Sequence, residues 1–319
     1  MTVRVVTQDE VALSAAASMS WSDLLLSHAR EHLIIALGLS VALLAVLIFL
    51  TQSIVQIAGG NPPPGLEPAL LGGVAGFITT ALGAIPALFM RGLPQRAEDS
   101  LLGLAAGMML AACAFSLLIP GIEAGAALFD NKAFGVGVVV LGMALGVLLM
   151  LGLDAFTPHE HDKTGPCGPG HARCGRIWLF VFAIALHNLP EGMAIGVSFA
   201  QDDMSVGFPL TIAIALQDIP EGLAVALALR SAGFAPSLAF LVAASSGLLE
   251  PLGALLGVGL SSGLAVAYPI GLGLAAGSML FVVSHEVIPE THRNGHQTSA
   301  TIGLMAGFAL MMVLDTTLG

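Results

Sequence analysis

Two stretches of the chain share one order of residue types: His187-Asn188-Leu189-Pro190-Glu191-Gly192 and Gln217-Asp218-Ile219-Pro220-Glu221-Gly222. On a helix, positions i and i+4 share a face, so His187 lies over Glu191 and Gln217 over Glu221. Asn188 and Asp218 sit about 100° further round. Two such faces turned toward each other would offer one imidazole, three carboxylates and two amide oxygens. That donor set suits Zn²⁺ and its transition-metal neighbours better than Ca²⁺ or Mg²⁺. Each motif proline lacks an N–H and crowds the carbonyl four residues earlier. The carbonyls of Leu186 and Leu216 therefore become further oxygen donors. Glu250, followed by its own Pro251, adds another acid downstream.

These acids lie in strongly apolar surroundings. Only 10% of the 319 residues are charged while 56% are hydrophobic, and the mean hydropathy is +0.92. Soluble domains carry about a quarter charged residues, so the composition describes an all-α integral membrane protein and excludes a soluble enzyme. A transmembrane barrel is excluded too, because the alternating pattern is missing. A carboxylate at a helix centre costs ~2.5–3.5 kcal/mol on insertion scales, so Glu191, Asp218, Glu221 and Glu250 together cost ~10–14 kcal/mol. No Lys or Arg within those spans offsets this, and one or two bound divalent cations would. The alternative is that Pro and Gly kink the helices and the polar groups glue them together. One motif fits that reading; two copies with Glu250 do not.

Apolar runs predict an extra N-terminal span over 33–55, with its charge-free core at 33–50. Eight more follow near 68–91, 100–122, 133–154, 177–201, 205–230, 236–259, 267–289 and 299–318. Residues 1–32 read as a polar, poorly ordered cytoplasmic segment without a cleavable leader. With sides counted alternately, Arg4, Arg30, Arg91, Arg96, Lys163, Arg173, Arg176, Arg230 and Arg293 share one face, and only Lys132 lies on the other. By the positive-inside rule the N-terminus is cytoplasmic and the C-terminus outside. The outer face then carries Glu67, Glu123, Asp130, Asp202, Asp203 and Asp315. These form an acidic rim that would gather cations at a mouth, or that simply solvates helix ends. A net charge of −11 argues against nucleic acid. Three cysteines do not make a disulfide framework.

Leu102-Gly-Leu-Ala-Ala-Gly-Met-Met-Leu110 matches Leu272-Gly-Leu-Ala-Ala-Gly-Ser-Met-Leu280 at every position except Met108/Ser278. The two segments run in opposite directions, which points to an inverted repeat. The first three of the eight spans are related to the last three, around the two motif helices. Met109 and Met279 occupy matching places. Ser284-His285-Glu286 lies toward the cytoplasmic end, and His285 and Glu286 are candidate ligands at an inner exit. Ser116, at the matching repeat level, is grouped with them. The loop 155–176 carries His159, His161, Cys167, His171 and Cys174. Its cysteines lack C-x-x-C spacing, so His159, His161 and His171 read as a weak metal-collecting loop rather than a folded zinc site.

At the twin motif and the His-bearing loop the sequence resembles the ZIP (Zrt/Irt-like protein) family of divalent-metal transporters, in its bacterial branch. The resemblance covers residues 68–319. It implies an eight-helix bundle, to which the N-terminal span is an addition, in the bacterial inner membrane. It also implies a metal site between the two motif helices, movement of metal toward the cytoplasm, and a binuclear centre. Met109, His187, Glu191, Gln217 and Glu221 would hold one ion; Asn188, Glu191, Asp218, Glu221 and Glu250 would hold the other. Gln217 and Glu221 stand where many members, especially eukaryotic ones, carry His. The site is correspondingly harder and more acidic, and Cd²⁺, Fe²⁺ or Mn²⁺ join Zn²⁺ as candidate substrates.

The expected function is thus import of Zn²⁺-like ions by alternating access, with a channel-like pathway through the same ligands as the mechanistic rival. Expected partners are divalent metal ions, the lipid bilayer and a second copy of the chain as a homodimer; no cofactor acts as a catalyst. An intramembrane metalloprotease would need His-Glu-x-x-His. His285-Glu286 instead meets Pro289 at the second His position, and His187 has no His partner, so the chain is not expected to be an enzyme. A metal-sensing receptor would need a sizeable soluble output domain, which the sequence lacks.

Overall fold

The computed structural model describes residues 21–60, 62–157, 159–161, 165–167, 176–231, 233–261 and 264–318. These fold into ten helices: α1 (Trp21–Glu31), α2 (Leu33–Ala58), α3 (Leu66–Leu88), α4 (Gln95–Phe129), α5 (Lys132–Phe156), α6 (Arg176–Phe199), α7 (Met204–Ser231), α8 (Pro236–Ser261), α9 (Ala267–Thr291) and α10 (Gln297–Leu318). Seven helices among the described residues are long and apolar enough to cross a membrane, and α1 with α2, taken together, makes an eighth. The all-helical membrane bundle expected from composition is therefore observed.

Several boundaries differ from the sequence expectation. The segment before residue 33 is not featureless, because α1 is a helix that meets α2 at a bend of 112°. The fourth helix is longer at both ends than the run 100–122, since polar first-turn residues such as Gln95 and Glu98 still helix well. In α8 the helix is interrupted at Gly247-Leu248 and restarts at Leu249, which places Glu250 in the first turn after the break. In the loop 155–176, His159–His161 pairs antiparallel with Gly165–Cys167, setting His159 opposite Cys167 and His161 opposite Gly165.

Glycines set the helix pairing. Gly103 and Gly107 of α4 have no room for a Cβ against the backbones of Ala300 and Leu304 on α10. Gly273 and Gly277 of α9 are seated in the same way on Val139 and Met143 of α5. Because numbers rise together across each contact, α4 and α10 run parallel, as do α9 and α5. A second family of contacts joins Gly83 to Ile219 and Gly222 to Thr80; Gly72 against Thr211 and Gly76 against Asp218 rise together, making α3 parallel to α7. Its counterpart joins Gly253 to Leu189 and Gly192 to Glu250; Gly192 against Glu250 and Gly196 against Ala254 rise together, making α8 parallel to α6. Such small-residue seams are how membrane helices gain close van der Waals packing without a hydrophobic drive between them.

These contacts obey the repeat. Exchange α3 for α8, α4 for α9, α5 for α10 and α6 for α7, and each glycine seam maps onto another. The repeat is inverted, since Gly73 meets Pro251 while Gly247 meets Phe77, so α3 and α8 run antiparallel. Both repeats also carry a widened π segment at the same place, Cys113–Leu118 in α4 and Val283–Val287 in α9. Each is followed by a proline, Pro120 or Pro289. A missing N–H breaks the regular ladder, and the local slip to a wider turn is one way to accommodate it.

Loop chemistry fixes the helix ends. Asn131 caps α5 by accepting from the backbone N–H groups of Ala133 at 2.9 Å and Phe134 at 3.4 Å, a standard end-satisfying device. Gly65 enters α3 at φ +72°, where a Cβ would also strike the Phe199 carbonyl. On α4, buried Asp99 accepts from Gln95 at 3.2 Å, Asn294 at 3.0 Å and His296 Nδ1 at 2.9 Å. This ties the start of α4 to the turn between α9 and α10. Arg293 lies in the same turn, and desolvation pulls its guanidinium pKa down while Asp99 opposes the shift.

Candidate metal centre

The twin-motif helices α6 and α7 continue through Pro190 and Pro220 and bring their acids together. Carboxylate oxygens of Glu191, Asp218 and Glu221 all lie within 4.8 Å of one another. Glu191 and Asp218 are buried and Glu221 is half-buried. A small cavity here is lined by Thr80, Asn188, Glu191, Asp218, Glu221, Gly222, Val225 and Ser246. The motif glycines explain why the carboxylates can meet. Any side chain at 192 or 222 would collide with the backbone of Glu250 or Thr80, and the motif helices would be held off their neighbours.

Each buried acid has a specific neighbour. Gln217 Nε2 donates to Glu191 Oε1 at 2.6 Å. The carboxylate can only accept, so the amide nitrogen must face it. Gln217 Oε1 is then left without a hydrogen-bond donor among the described residues, as is Oε2 of Glu250. Glu250 is fully buried, and its other oxygen accepts from Thr80 Oγ1 at 2.9 Å. Thr79 Oγ1 lies 3.2 Å from Asp218 Oδ2, with the carbonyls of Ala75 and Gly76 competing for its proton at 3.0 and 2.9 Å. Buried oxygens without donors are costly unless something electropositive faces them. A divalent cation meets that requirement, and the donors present (carboxylates and amide oxygens) are of the right type.

Helix α3 was missed in reading the sequence for ligands. Gly76 lies so close to the Glu250 carboxylate that a Cβ there would overlap it, and would approach Asp218 Oδ2 to 3.2 Å. Gly76, Thr79 and Thr80 thus form one wall of the site. The usable signal was positional: Thr80 is the repeat equivalent of Glu250, because Gly222 rests on Thr80 as Gly192 rests on Glu250.

The remaining expected ligands divide. Asn188 is buried and lines the cavity. Met109 is buried in the main apolar core, as is Met279. The side chain of His187 lies outside the described residues, although its backbone belongs to α6. The same holds for the side chains of His159, His161 and Cys167 in the hairpin, and for the whole of His171 and Cys174.

The expected grouping of Ser116 with His285 and Glu286 is corrected. Ser116 Oγ donates to Asp315 Oδ1 at 2.6 Å, near the C-terminal end of α10. His285 instead has Nε2 3.9 Å from Asp154 Oδ2, near the C-terminal end of α5, and stacks on Phe281. Asp154 and Asp315 follow Met143 and Leu304 at equal sequence distances, and those two residues are repeat equivalents. The two aspartates are therefore counterparts, with Ser116 at the level of Glu286 next to His285, and an inverted repeat carries counterparts to opposite ends of the bundle. Equal repeat level means opposite membrane face, which is why Ser116 and His285 part. Glu286 is half-buried beside His285 on the π segment.

Among the proposed rim acids, Asp203 accepts from the backbone and hydroxyl of Ser205 at 2.9 and 2.7 Å, capping the start of α7. Asp130 and Asp202 sit at positive φ in turns. Glu123 is exposed. The helix-end explanation accounts for Asp203 directly, and Asp315 is engaged by Ser116.

Comparison with known proteins points the same way. A family model described as ZIP Zinc transporter matches residues 159–315. The chain is 61% identical to "Zinc transporter ZIPB" of Bordetella bronchiseptica over 92% of its own length and 95% of that protein. It is 42% identical to "Zinc transporter GufA" of Myxococcus xanthus over 80% of this chain and 99% of the other. With "Zinc transporter ZIP11" of Homo sapiens the identity is 32%, over 79% and 97% respectively.

Proposed function

The chain belongs to the ZIP family of zinc transporters, and from that premise we propose that it carries Zn²⁺ and related divalent transition metals across the bacterial inner membrane into the cytoplasm. The observation that carries this reading is the convergence of Glu191, Asp218 and Glu221 within 4.8 Å, joined by buried Glu250, with Arg176 and Arg230 standing only at the far ends of α6 and α7. Such a cluster needs a cation, and its position between antiparallel repeats is where transporters place substrate.

The site is binuclear. Met109, His187, Glu191, Gln217 and Glu221 hold one ion, and Asn188, Glu191, Asp218, Glu221 and Glu250 hold the other, with Glu191 and Glu221 shared. The donor-less Gln217 Oε1 and Glu250 Oε2 fall one in each set, which supports two centres rather than one. Transport runs by alternating access, supported by the two glycine-sealed families of helices. One family is α3, α6, α7 and α8, which supply every proposed ligand except Met109 of α4. The other is α4, α5, α9 and α10, which frames it. Seams of this kind let one group move as a body against the other.

The N-terminus lies in the cytoplasm and the C-terminus outside, so Glu123, Asp202, Asp203 and Asp315 line the entrance. Asp154, His285 and Glu286 line the exit, and the loop 155–176 with His159, His161 and His171 follows α5 in the chain. A hydrolytic reading finds no support, because Pro289 occupies the place a second zinc-binding His would need.

Reconstitution in proteoliposomes tests the proposal. Zn²⁺ influx should saturate, and Cd²⁺ should compete, with and without a pH gradient. Flux that rises linearly with metal and never saturates would favour a channel. No flux of any divalent metal would refute the assignment.

A further inference from the structure

Among the described residues a second group of metal-competent side chains lies far in sequence from the twin motif. One ligand atom from each of His28, Glu31 and His32 falls within 4.8 Å of the others. All three belong to α1 or the bend that follows it, the segment that sequence reading set aside. The i, i+3, i+4 spacing places them on one helical face.

Their surroundings prepare the group for a cation. His28 Nε2 lies 2.9 Å from the carbonyl oxygen of Ala155 on α5. A carbonyl only accepts, so Nε2 carries the proton and the neutral ring has its lone pair on Nδ1. A backbone carbonyl holding the far nitrogen is the usual support for a metal-binding imidazole, because it fixes both tautomer and ring direction. The ring is also packed edge-on against Phe156, with centroids 5.0 Å apart, and 4.5 Å from the ring of His32. Burial, then the neighbouring His32, hold the His28 imidazole below its ordinary pKa. Glu31 and His32 remain exposed, leaving an approach from solvent.

The location gives the group a use. Ala155 follows Asp154, whose carboxylate faces His285 at 3.9 Å. Helix α1 is thus clamped over the end of α5 that carries the proposed exit.

We propose that His28, Glu31 and His32 form a separate binding site for a divalent transition metal ion, presented by the N-terminal helix beside the inner mouth. Two imidazoles and one carboxylate match a three-ligand zinc site with the remaining position open to water. Such a site receives the ion as it leaves and passes it to the cytoplasm. Its role as receiver rests on the transport reading above; its capacity to bind metal does not.

The test is histidine footprinting of the full chain in nanodiscs with diethylpyrocarbonate, read residue by residue by mass spectrometry, with Zn²⁺ as the probe. Zn²⁺ should slow labelling of His28 and His32 at least fivefold. Glu31→Gln should raise the Zn²⁺ concentration for half-protection about tenfold, each variant being compared with its own metal-free labelling rate. Protection should survive in Glu221→Ala, where the midplane site is broken. Labelling indifferent to Zn²⁺, or protection unaltered in Glu31→Gln, would overturn the proposal. Protection lost in Glu221→Ala would also overturn it, since the signal would then report the state of the transport site.

Discussion

Thr80 donates a 2.9 Å hydrogen bond to the carboxylate of Glu250, and the two residues are each other's counterparts in the inverted repeat. One half of the molecule supplies an acid at this level and the other supplies the hydroxyl that holds it. The pair therefore sits where the two halves meet, and the site is asymmetric although the scaffold is not. In the sequence the motif carries the same asymmetry, with His187 in one copy where the other has Gln217.

Thr80→Val removes the donor but keeps the shape. A hydrogen bond to a charged group is worth about 1.5–3 kcal/mol, so zinc affinity at the site should change while the protein still folds. Isothermal titration of the purified variant should show altered binding at one of two sites. Unchanged binding at both would mean that Thr80 does not position Glu250.

Gly76→Ala places a methyl group where the Glu250 carboxylate now lies. The tip of a glutamate yields more readily than backbone, so the fold should survive while Glu250 is displaced. Uptake is expected to fall at least tenfold, with normal expression and an unshifted elution volume. Gly192→Ala should behave differently, because its Cβ meets the backbone of Glu250. Overpacking of that kind costs about 1–3 kcal/mol or more and should show as a lowered melting temperature.

The contrast between these glycines bears on what the sequence could reveal. The ligand types of the twin motif were legible because acids and amides are expensive in apolar helices and so point to function. Glu250 was legible for the same reason. Gly76, Thr79 and Thr80 were not, because Gly and Thr are ordinary packing residues in membrane helices and only the folded register brings them to the carboxylates. The repeat was visible in the Leu102 and Leu272 segments. Its inversion was not carried through to Ser116, whose counterpart level lies at the other face. Helix α1 escaped notice because it is short and mixed in polarity. The break at Gly247-Leu248 does carry a signal, because Pro251 lacks the N–H that would bond the Gly247 carbonyl and crowds it.

His187→Ala removes the only nitrogen donor assigned to the centre. Imidazole matters most to metals at the softer end of the series. Uptake of Cd²⁺ and Zn²⁺ should fall more than uptake of Mn²⁺ in a metal panel. Equal loss across all three would remove His187 from the ligand set.

Acidification should slow uptake, since metal must displace protons from carboxylates and imidazole. Initial rates measured with equal pH on both sides should therefore decline from pH 7 to 5. A flat profile over that range would mean that deprotonation of the ligands does not limit loading.

The central claim is that the acids of the two Pro-Glu-Gly motifs hold the ion in transit, and Glu221 reaches both proposed centres. The direct test is Zn²⁺ uptake into proteoliposomes carrying wild type or Glu221→Ala at equal density. The account predicts that the variant falls to the rate of protein-free vesicles. Uptake near the wild-type rate would contradict it.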